Sequence, residues 1–145
     1  MSSSSHAPVD LLVLVHSHPR ETKDRHAARD TWAHPELTSS LRVKVVFVLQ
    51  WSEVARKNRA ELQWEENLTG DLVLVTGSDV TGLGWAGSHC PHTGPVLLLA
   101  STDYCVDLVG LKRAVDAGMM SRKGFSCIED GEGGCFDETV LLINR

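Results

Sequence analysis

Apolar residues in the first half of the chain fall into three runs of strand length. These runs are Val9–Val15, Val43–Leu49 and Asp71–Val75. The first is rich in valine and leucine and nearly continuous rather than alternating, which is typical of a strand buried on both faces of a sheet. Because strands of parallel sheets are buried in this way, the pattern predicts a mostly parallel sheet.

Two segments between these strands have the pattern of amphipathic helices. The first is predicted to begin near Thr22 and to run to about Trp32, with Pro35 marking its end. The second covers Ser52–Glu66 and is expected to turn three apolar side chains inward, those of Val54, Leu62 and Trp64. Strands and helices that alternate through short connections form right-handed βαβ units, so the predicted fold class is α/β with a Rossmann-like open sheet.

The second half of the chain is less regular. Residues 76–95 contain five glycines and no helical period, which predicts an irregular connection where a compact α/β domain would place a helix. The elements expected after it are a strand at Val96–Ala100, a helix at Val106–Ala117, a loop at Ser121–Asp137 and an apolar run at Val140–Ile143. The sequence thus predicts a flexible leader at residues 1–8 and one domain at residues 9–145, whose sheet is incomplete in its second half.

The composition and net charge of the chain limit the classes of binding partner that are expected. The chain has 145 residues, of which 42% are hydrophobic and 23% charged, and its formal net charge is −5. These values are those of a globular protein without the basic field that a nucleic-acid backbone requires, so nucleic acid is not an expected partner. Its apolar runs are far shorter than the roughly 20 residues of a membrane-spanning helix, so no span is expected within this chain.

The four cysteines lie in the second half and have no C-x-x-C spacing, so a structural zinc site is not predicted. An even number permits two disulfides in an oxidising compartment, whereas in the cytosol the same residues would be thiols. The sequence leaves both states open.

The first strand and helix carry the candidate binding residues. Arg25 and Arg29 are four residues apart and Trp32 follows three later, so the three share one helical face just beyond a buried strand. Open α/β sheets bind their ligands at this end of their strands. The alternative is that Trp32 anchors the core and that the arginines form structural ion pairs with acids close in sequence, namely Glu21, Asp24 or Asp30.

The order of these motifs resembles the β1,3-galactosyltransferase family. Residues 9–75 match the opening of the family's catalytic domains. The matching motifs are the strand LLVLVHS, the helix motif R-x-A-A-R-D-T-W, the strand VVFVL and the acidic helix end before GDLVLV. The resemblance implies a GT-A type Rossmann-like fold and an inverting hexosyltransferase. Such an enzyme transfers a hexose, galactose or an N-acetylhexosamine, from a UDP-sugar to a hydroxyl of a glycoprotein or glycolipid glycan in β1,3 linkage. It works in the Golgi with Mn²⁺.

The same resemblance assigns the donor nucleotide to the first strand–helix unit. Ser17 and Arg25 are expected to contact the nucleotide, with Arg29 as the second family arginine. Asp79 falls where the family has the aspartate of D-x-Y-x-N-L-T, although the tyrosine, the asparagine and the following lysine-bearing helix are missing here.

This sequence matches the family's motifs for the metal ligands and for the general base less completely. Asp103 keeps one acid of the family's K-T-D-D-D metal motif, and Mn²⁺ usually takes two or more oxygen ligands from protein. The alternative for Asp103 is a strand-end residue that caps the next helix. Asp130 corresponds to the family's late E-D-V-x-x-G-x-C aspartate, a base for the acceptor hydroxyl, and the alternative is a solvated acidic loop.

Two further hypotheses remain. Asn67-Leu68-Thr69 is an N-glycosylation sequon and would suit a luminal protein. The chain can also be a truncated remnant of the family that is catalytically inactive and serves as a Rossmann-like binding or interaction module.

Overall fold

A computed structural model describes residues 9–76, 96–102, 105–117, 124–127 and 141–144. The strands are β1 (Leu11–His16), β2 (Val43–Gln50), β3 (Leu72–Val75), β4 (Val96–Ser101), β5 (Gly124–Cys127) and β6 (Leu141–Asn144). The helices are α1 (Thr22–Asp30), α2 (Pro35–Leu41), α3 (Arg59–Thr69) and α4 (Leu108–Asp116).

The six strands form one sheet in the order β3-β2-β1-β4-β6-β5. β1 pairs in parallel with β2 on one side and with β4 on the other, and β2 pairs in parallel with β3. β6 pairs antiparallel with both β4 and β5. The predicted α/β class with a mostly parallel sheet is confirmed.

β1 lies at the centre of the described core. Leu11, Val13 and Val15 belong to one buried cluster, which also contains residues of α1, α3 and α4. Leu12 and Leu14 belong to a second cluster, which in the described ranges is built from strand residues. Because β1 is buried on both faces, its side chains cannot alternate between apolar and polar, and this explains the near-continuous apolar run.

The first helix is shorter than the sequence predicted. α1 ends at Asp30, and a second helix begins at Pro35, where the sequence predicted only an end. Proline suits the first position of a helix because its missing N–H would have no partner there. The side chain of His34 accepts a hydrogen bond from the N–H of Glu36 at 3.2 Å and caps this helix. The proline therefore starts α2 after a short break.

The helix predicted at Ser52–Glu66 begins later and ends later. Two 3₁₀ turns, Trp51–Glu53 and Arg56–Asn58, occupy its first part, and α3 continues to Thr69. The end comes at Gly70, which adopts a left-handed conformation with φ of 66° and donates its N–H to the carbonyl of Glu66. Glycine is the usual residue at this position because it has no Cβ to clash there.

The inner face of α3 also differs from the prediction. Leu62 is buried as expected, but Trp64 is 63% exposed, so its predicted inward orientation was wrong. Residues two apart on a helix do not share a face. The residue that joins Leu62 on the inner face is Glu65, which is 2% exposed. The acidic side chain of Glu65 thus occupies the inner face of α3, where the prediction had placed the aromatic side chain of Trp64.

In the second half, β4, α4 and β6 lie where a strand, a helix and an apolar run were predicted. The loop predicted at Ser121–Asp137 was wrong over residues 124–127, because β5 forms there by pairing with β6. A strand made by distant pairing leaves little signal in its own composition. Residues 1–8 and 77–95, the leader and almost all of the predicted irregular connection, lie outside the described residues. None of the described helices has the length and hydropathy that crossing a membrane would require.

We predict that Gly70→Ala destabilises the fold by about 1–2 kcal/mol, the cost of a left-handed conformation for a residue with a Cβ. No atom lies within 4 Å of a Cβ built at this glycine, so the cost is one of backbone conformation rather than of crowding. Urea denaturation followed by circular dichroism measures the change. Gly70→Asn is the matched control and should cost less, since asparagine tolerates this conformation better. Equal stability of Gly70→Ala and wild type would contradict the prediction.

Candidate functional site

An open cleft of about 250 Å³ lies at the carboxyl ends of three parallel strands. The ends are those of β1, β2 and β4, which the register places side by side through His16, Val48 and Ser101. The chain runs from β1 to β2 on one side of the sheet and returns to β4 on the other, so the cleft lies at the switch point where such sheets bind ligands. The lining residues are His16, Ser17, His18, Glu21, Val48, Gln50, Glu53, Ser101 and Thr102.

The turn after β1 forms one wall of this cleft. Backbone pairing continues past the strand, because the N–H of Ser17 donates to the carbonyl of Val48 at 3.1 Å. On the other side, the N–H of Thr102 donates to the carbonyl of His16 at 3.3 Å. Ser17 is buried and still lines the cleft, so its side chain is held at the point where the sheet meets the turn.

Arg25 lies beneath this turn and is 0% exposed. One terminal guanidinium nitrogen, Nη1, donates to Ser17 Oγ and to the carbonyl oxygen of His18, both at 2.8 Å. The other, Nη2, lies 3.3 Å from the carbonyl oxygen of Pro19 and 3.1 Å from Thr22 Oγ1. The five N–H donors of the guanidinium are therefore directed into the protein, and the side chain fixes the turn from behind rather than opening into the cleft.

Glu65 of α3 balances the charge of Arg25. Its carboxylate accepts from Arg25 Nε at 2.7 Å and from Nη2 at 2.8 Å, a paired geometry in which two parallel bonds fix the relative orientation of the groups. The same carboxylate accepts a bond from Arg29 Nη2 at 2.7 Å. Glu65 therefore joins both arginines of α1 to α3.

Arg29 extends the network to the start of β3. Its Nε and Nη2 donate to the two carboxylate oxygens of Asp71 at 2.8 and 2.7 Å. Its guanidinium carbon lies 4.9 Å from the ring centre of buried Phe47, a distance at which a cation is attracted by the ring face. Arg29 thus lies between the sheet and two carboxylates, away from the cleft lining.

The pKa values reflect this pairing. Burial alone would raise the pKa of Glu65, but the hydrogen bonds and charges of Arg25 and Arg29 lower it below its ordinary value. Burial alone would lower the pKa of Arg29, but the hydrogen bonds and charges of Asp71 and Glu65 raise it above its ordinary value. Glu65 and Arg29 are therefore ionised at neutral pH, and their opposite charges compensate each other in the network.

A second set of contacts crosses the cleft wall. Glu21 accepts a bond from the N–H of His18 and another from Thr102 Oγ1, the latter at 2.8 Å. The carboxylate thereby connects the turn after β1 to the end of β4. His18 Nδ1 accepts from the N–H of Arg20 at 3.1 Å, and its Nε2 lies 3.5 Å from Glu53 Oε2 on the turn after β2.

Burial affects two polar groups of the cleft. Burial lowers the pKa of His16 more than the charge of Glu53 raises it, so the imidazole is neutral at pH 7. The side-chain nitrogen of Gln50 is buried without a hydrogen-bond partner among the described residues. A buried amide N–H without a partner costs free energy, which a ligand that accepts its bond can recover.

The predicted nucleotide-binding residues of the first strand–helix unit separate into two groups. Ser17 lines the cleft, whereas Arg25 and Arg29 lie behind it in the ion-pair network. The structural alternative for the arginines is correct in kind, but their partners are Glu65 and Asp71 rather than acids close in sequence.

Five other predicted positions lie away from this cleft or outside the described ranges. Asn67 is exposed on α3. Asp79, Asp103 and Asp130 lie outside the described residues. Trp32 packs, partly buried, against the first core cluster, as its structural alternative expected.

Sequence reasoning missed the residues that connect the elements. Glu65 and Asp71 belong to the acidic helix end and the GD-strand motif, so the family pattern contained them, but it did not indicate what they bind. Glu21 was considered only as an ion-pair partner of the arginines, and Glu53 had no distinguishing sequence signal. Their importance arises from the distance between α1, β4 and the turn after β2, which only the fold sets.

Comparisons with known proteins agree with the family motifs. Human β1,3-galactosyltransferase 4 is 30% identical over 104 residues, which cover 63% of this chain and 28% of the relative. The rat β1,3-galactosyltransferase 4 is 28% identical over 99 residues, which cover 62% and 26%. The resemblance to β1,3-galactosyltransferases is confirmed. The chain spans little more than a quarter of the length of these relatives, and no protein-family model matches it.

A solved glycosyltransferase structure has a similar fold. The mannosyltransferase of Pyrobaculum calidifontis, solved in complex with GDP-Man and Mn²⁺, superposes with a TM-score of 0.57 over 96% of this chain and 45% of that protein. The sequence identity is 15%, so the likeness supports the fold alone. This chain is thus similar in sequence and in fold to glycosyltransferases.

We predict that Glu65→Gln lowers the free energy of unfolding by about 3–5 kcal/mol, because it leaves the buried guanidinium of Arg25 and the partly buried one of Arg29 short of negative charge. The substitution keeps the shape of the side chain, so the loss reports charge rather than volume. Glu61→Gln, an exposed position on the same helix, is the control and should change stability by at most about 0.5 kcal/mol. Chemical denaturation measures both. Similar small losses in the two variants would show that the network contributes little.

The same residue gives a pH dependence of defined sign. The pKa of Glu65 in the folded chain is below its ordinary value of 4.5, so the unfolded chain takes up this proton first as the pH falls. The stabilisation is fully present above that value and is lost as the pH falls through the folded pKa. We expect the stability gap between wild type and Glu65→Gln to shrink with acidification below 4.5. A gap that stays constant in denaturation curves from neutral to acidic pH would contradict this.

Proposed function

We propose that this chain is the donor-binding part of a hexosyltransferase that transfers a hexose from a UDP-sugar to a glycan hydroxyl in β1,3 linkage. The observation that carries the proposal is the cleft at the carboxyl ends of β1, β2 and β4, whose wall is fixed by the arginine motif of the matched family. Open α/β sheets place nucleotides at this position. The similarity to β1,3-galactosyltransferase 4 supports the choice of donor and linkage.

In this proposal Ser17 contacts the donor and Arg25 positions Ser17. Arg25 donates to one side of the hydroxyl oxygen, which leaves the hydroxyl hydrogen to be donated toward the cleft. The Ser17 hydroxyl donates to the carbonyl oxygen of His18 over a long Oγ–O distance of 3.4 Å, and a ligand acceptor can replace this bond. Arg25 itself keeps its donors on the turn and on Glu65, so its role is indirect.

The cleft lining suits the neutral part of a nucleotide. Glu53 is a hydrogen-bond acceptor for hydroxyl groups, and neutral His16 and the amide of Gln50 add further bonding capacity. Among the described residues that line the cleft there is no lysine or arginine, so these side chains do not compensate a diphosphate. We therefore assign the described cleft to the nucleoside rather than to the phosphates.

The described residues do not fit a preformed Mn²⁺ site. They contain no group of three or more His, Cys, Asp or Glu side chains that could hold a metal ion. Both carboxylate oxygens of Glu21 already accept protein hydrogen bonds. The metal expected from the family would rest on Asp103, and the general base on Asp130, both outside the described ranges. They remain parts of the proposal, as do Asp79 in the donor site, a glycoprotein or glycolipid acceptor and a Golgi location.

A second candidate is a binding module without transferase activity. It is favoured by the described cleft itself, whose lining offers hydrogen-bonding groups to a ligand and whose wall is fixed by Arg25. Such a module would keep the cleft and its arginine network while lacking the chemistry of transfer. Donor binding without sugar transfer would support this candidate.

We predict that the chain binds UDP and that Ser17→Ala weakens this binding. One lost hydrogen bond costs about 0.5–1.5 kcal/mol, or roughly a two- to twelve-fold increase in Kd. Isothermal titration with UDP, with and without Mn²⁺, measures the change. Ser40→Ala removes an exposed hydroxyl on α2 that bonds only to the carbonyl of Leu37 and should leave the Kd unaltered. No UDP binding by the folded wild-type chain at millimolar concentration would overturn the donor assignment.

A further inference from the structure

The outer face of α3 presents an exposed apolar pair. Trp64 is 63% exposed and Leu68 is 64% exposed, and the two are four residues apart, so they lie next to each other on the helix surface. Exposed single apolar residues are common, but a tryptophan and a leucine side by side form a patch that another group can cover. Asn67 lies beside this pair, three residues after Trp64, and is also exposed.

Asn67 is the only asparagine of this sequence in an N-x-S/T sequon. Its Oδ1 accepts a hydrogen bond from Gln63 Nε2 at 3.0 Å, which orients the amide along the helix and leaves Nδ2 as the nitrogen that can carry a sugar. The hydroxyl of Thr69 turns the other way, toward the carbonyl of Glu65 and the carboxylate of Asp71 at 2.9 and 2.8 Å. The side chains of Asn67 and Thr69 thus lie on opposite faces of α3.

Side-chain direction places a substituent of Asn67 over Trp64. In an α-helix each side chain leans toward the N-terminus and covers the preceding turn. A group attached to Nδ2 therefore extends back over the turn that contains Trp64. That side chain also lines a groove between α1 and α3.

The groove can hold a sugar. Its volume of about 520 Å³ falls within the roughly 300–1,000 Å³ typical of small-ligand sites. Its lining combines an aromatic ring with polar and charged groups, the combination that fits a ring with apolar C–H faces and a rim of hydroxyls. The residues lining it are Thr22, Lys23, His26, Ala60, Glu61, Trp64 and Glu65.

We propose that Asn67 carries an N-linked glycan whose innermost N-acetylhexosamine packs on Trp64 and shields the Trp64–Leu68 pair. The N-glycosidic bond forms between Nδ2 of Asn67 and C1 of the first sugar of a lipid diphosphate-linked oligosaccharide. The C1–O bond to the lipid diphosphate breaks, the diphosphate leaves with the bonding electrons, and Nδ2 loses one proton. The inference rests on the luminal location included in the proposed function, but not on donor binding, so UDP titration and glycan analysis test the two independently.

Expression of the full chain behind a secretion signal tests the modification. We expect a peptide mass that reports one glycan at Asn67, which peptide N-glycosidase removes with conversion of that asparagine to aspartate. Asn67→Gln should lose the glycan. Thr69→Ser, which keeps both the sequon and a hydroxyl for Glu65 and Asp71, should retain it. An unmodified Asn67 in folded, secreted chain would overturn the proposal.

Hydroxyl-radical labelling read by mass spectrometry tests the packing. Label at Trp64 should fall about two-fold or more in the glycosylated chain relative to the Asn67→Gln variant, because a stacked sugar covers one of the two faces of the indole. Trp51, which is 42% exposed on another element, is the internal reference and should label equally in both. Equal labelling of Trp64 in the two forms would refute the shielding. Protection of Trp64 that persists in Asn67→Gln and grows with protein concentration would point instead to a second copy of the chain and would also overturn it.

Discussion

The buried ion pair between Arg25 and Glu65 is the interaction on which the rest of the described site depends. Both side chains are nearly inaccessible to water, and removing two charges from water is unfavourable unless they meet in good geometry with their other bonds satisfied. The pair meets this condition because the carboxylate receives two bonds from Arg25 and one from Arg29. Any shift of α1 against α3 would break several of these bonds together, so the position of the turn after β1 is sharply defined.

The sheet supplies the rigid support that this network requires. β1 is apolar on both faces and paired on both sides, so its carboxyl end has little freedom to move. Gly70 then reverses the chain after α3 and brings Asp71 back to Arg29. A cleft formed by strand ends and held from behind by buried charges is prepared for a ligand before the ligand arrives, which reduces the ordering cost of binding.

The two faces of α3 differ in what they contact. The inner face, through Glu65, fixes the candidate donor cleft, while the outer face presents Asn67 and Trp64 to solvent. In our proposals the inner face supports a donor-binding cleft and the outer face carries a glycan at Asn67. Since Thr69 bonds to Asp71, the end of this helix also links the sequon to the network that shapes the cleft.

The sequence by itself determined the parallel strands, the first βα unit and the resemblance to the transferases, because apolar runs and short motifs are properties of neighbouring residues. It also identified Ser17, Arg25 and Arg29 as candidate binding residues. Only the tertiary structure decided that Arg25 pairs with Glu65, 40 residues away, and Arg29 with Asp71, 42 residues away. It likewise turned Trp64 outward and made a strand of residues 124–127. Such pairings follow from how helices and strands pack, and packing brings together side chains whose separation along the chain carries no local signal.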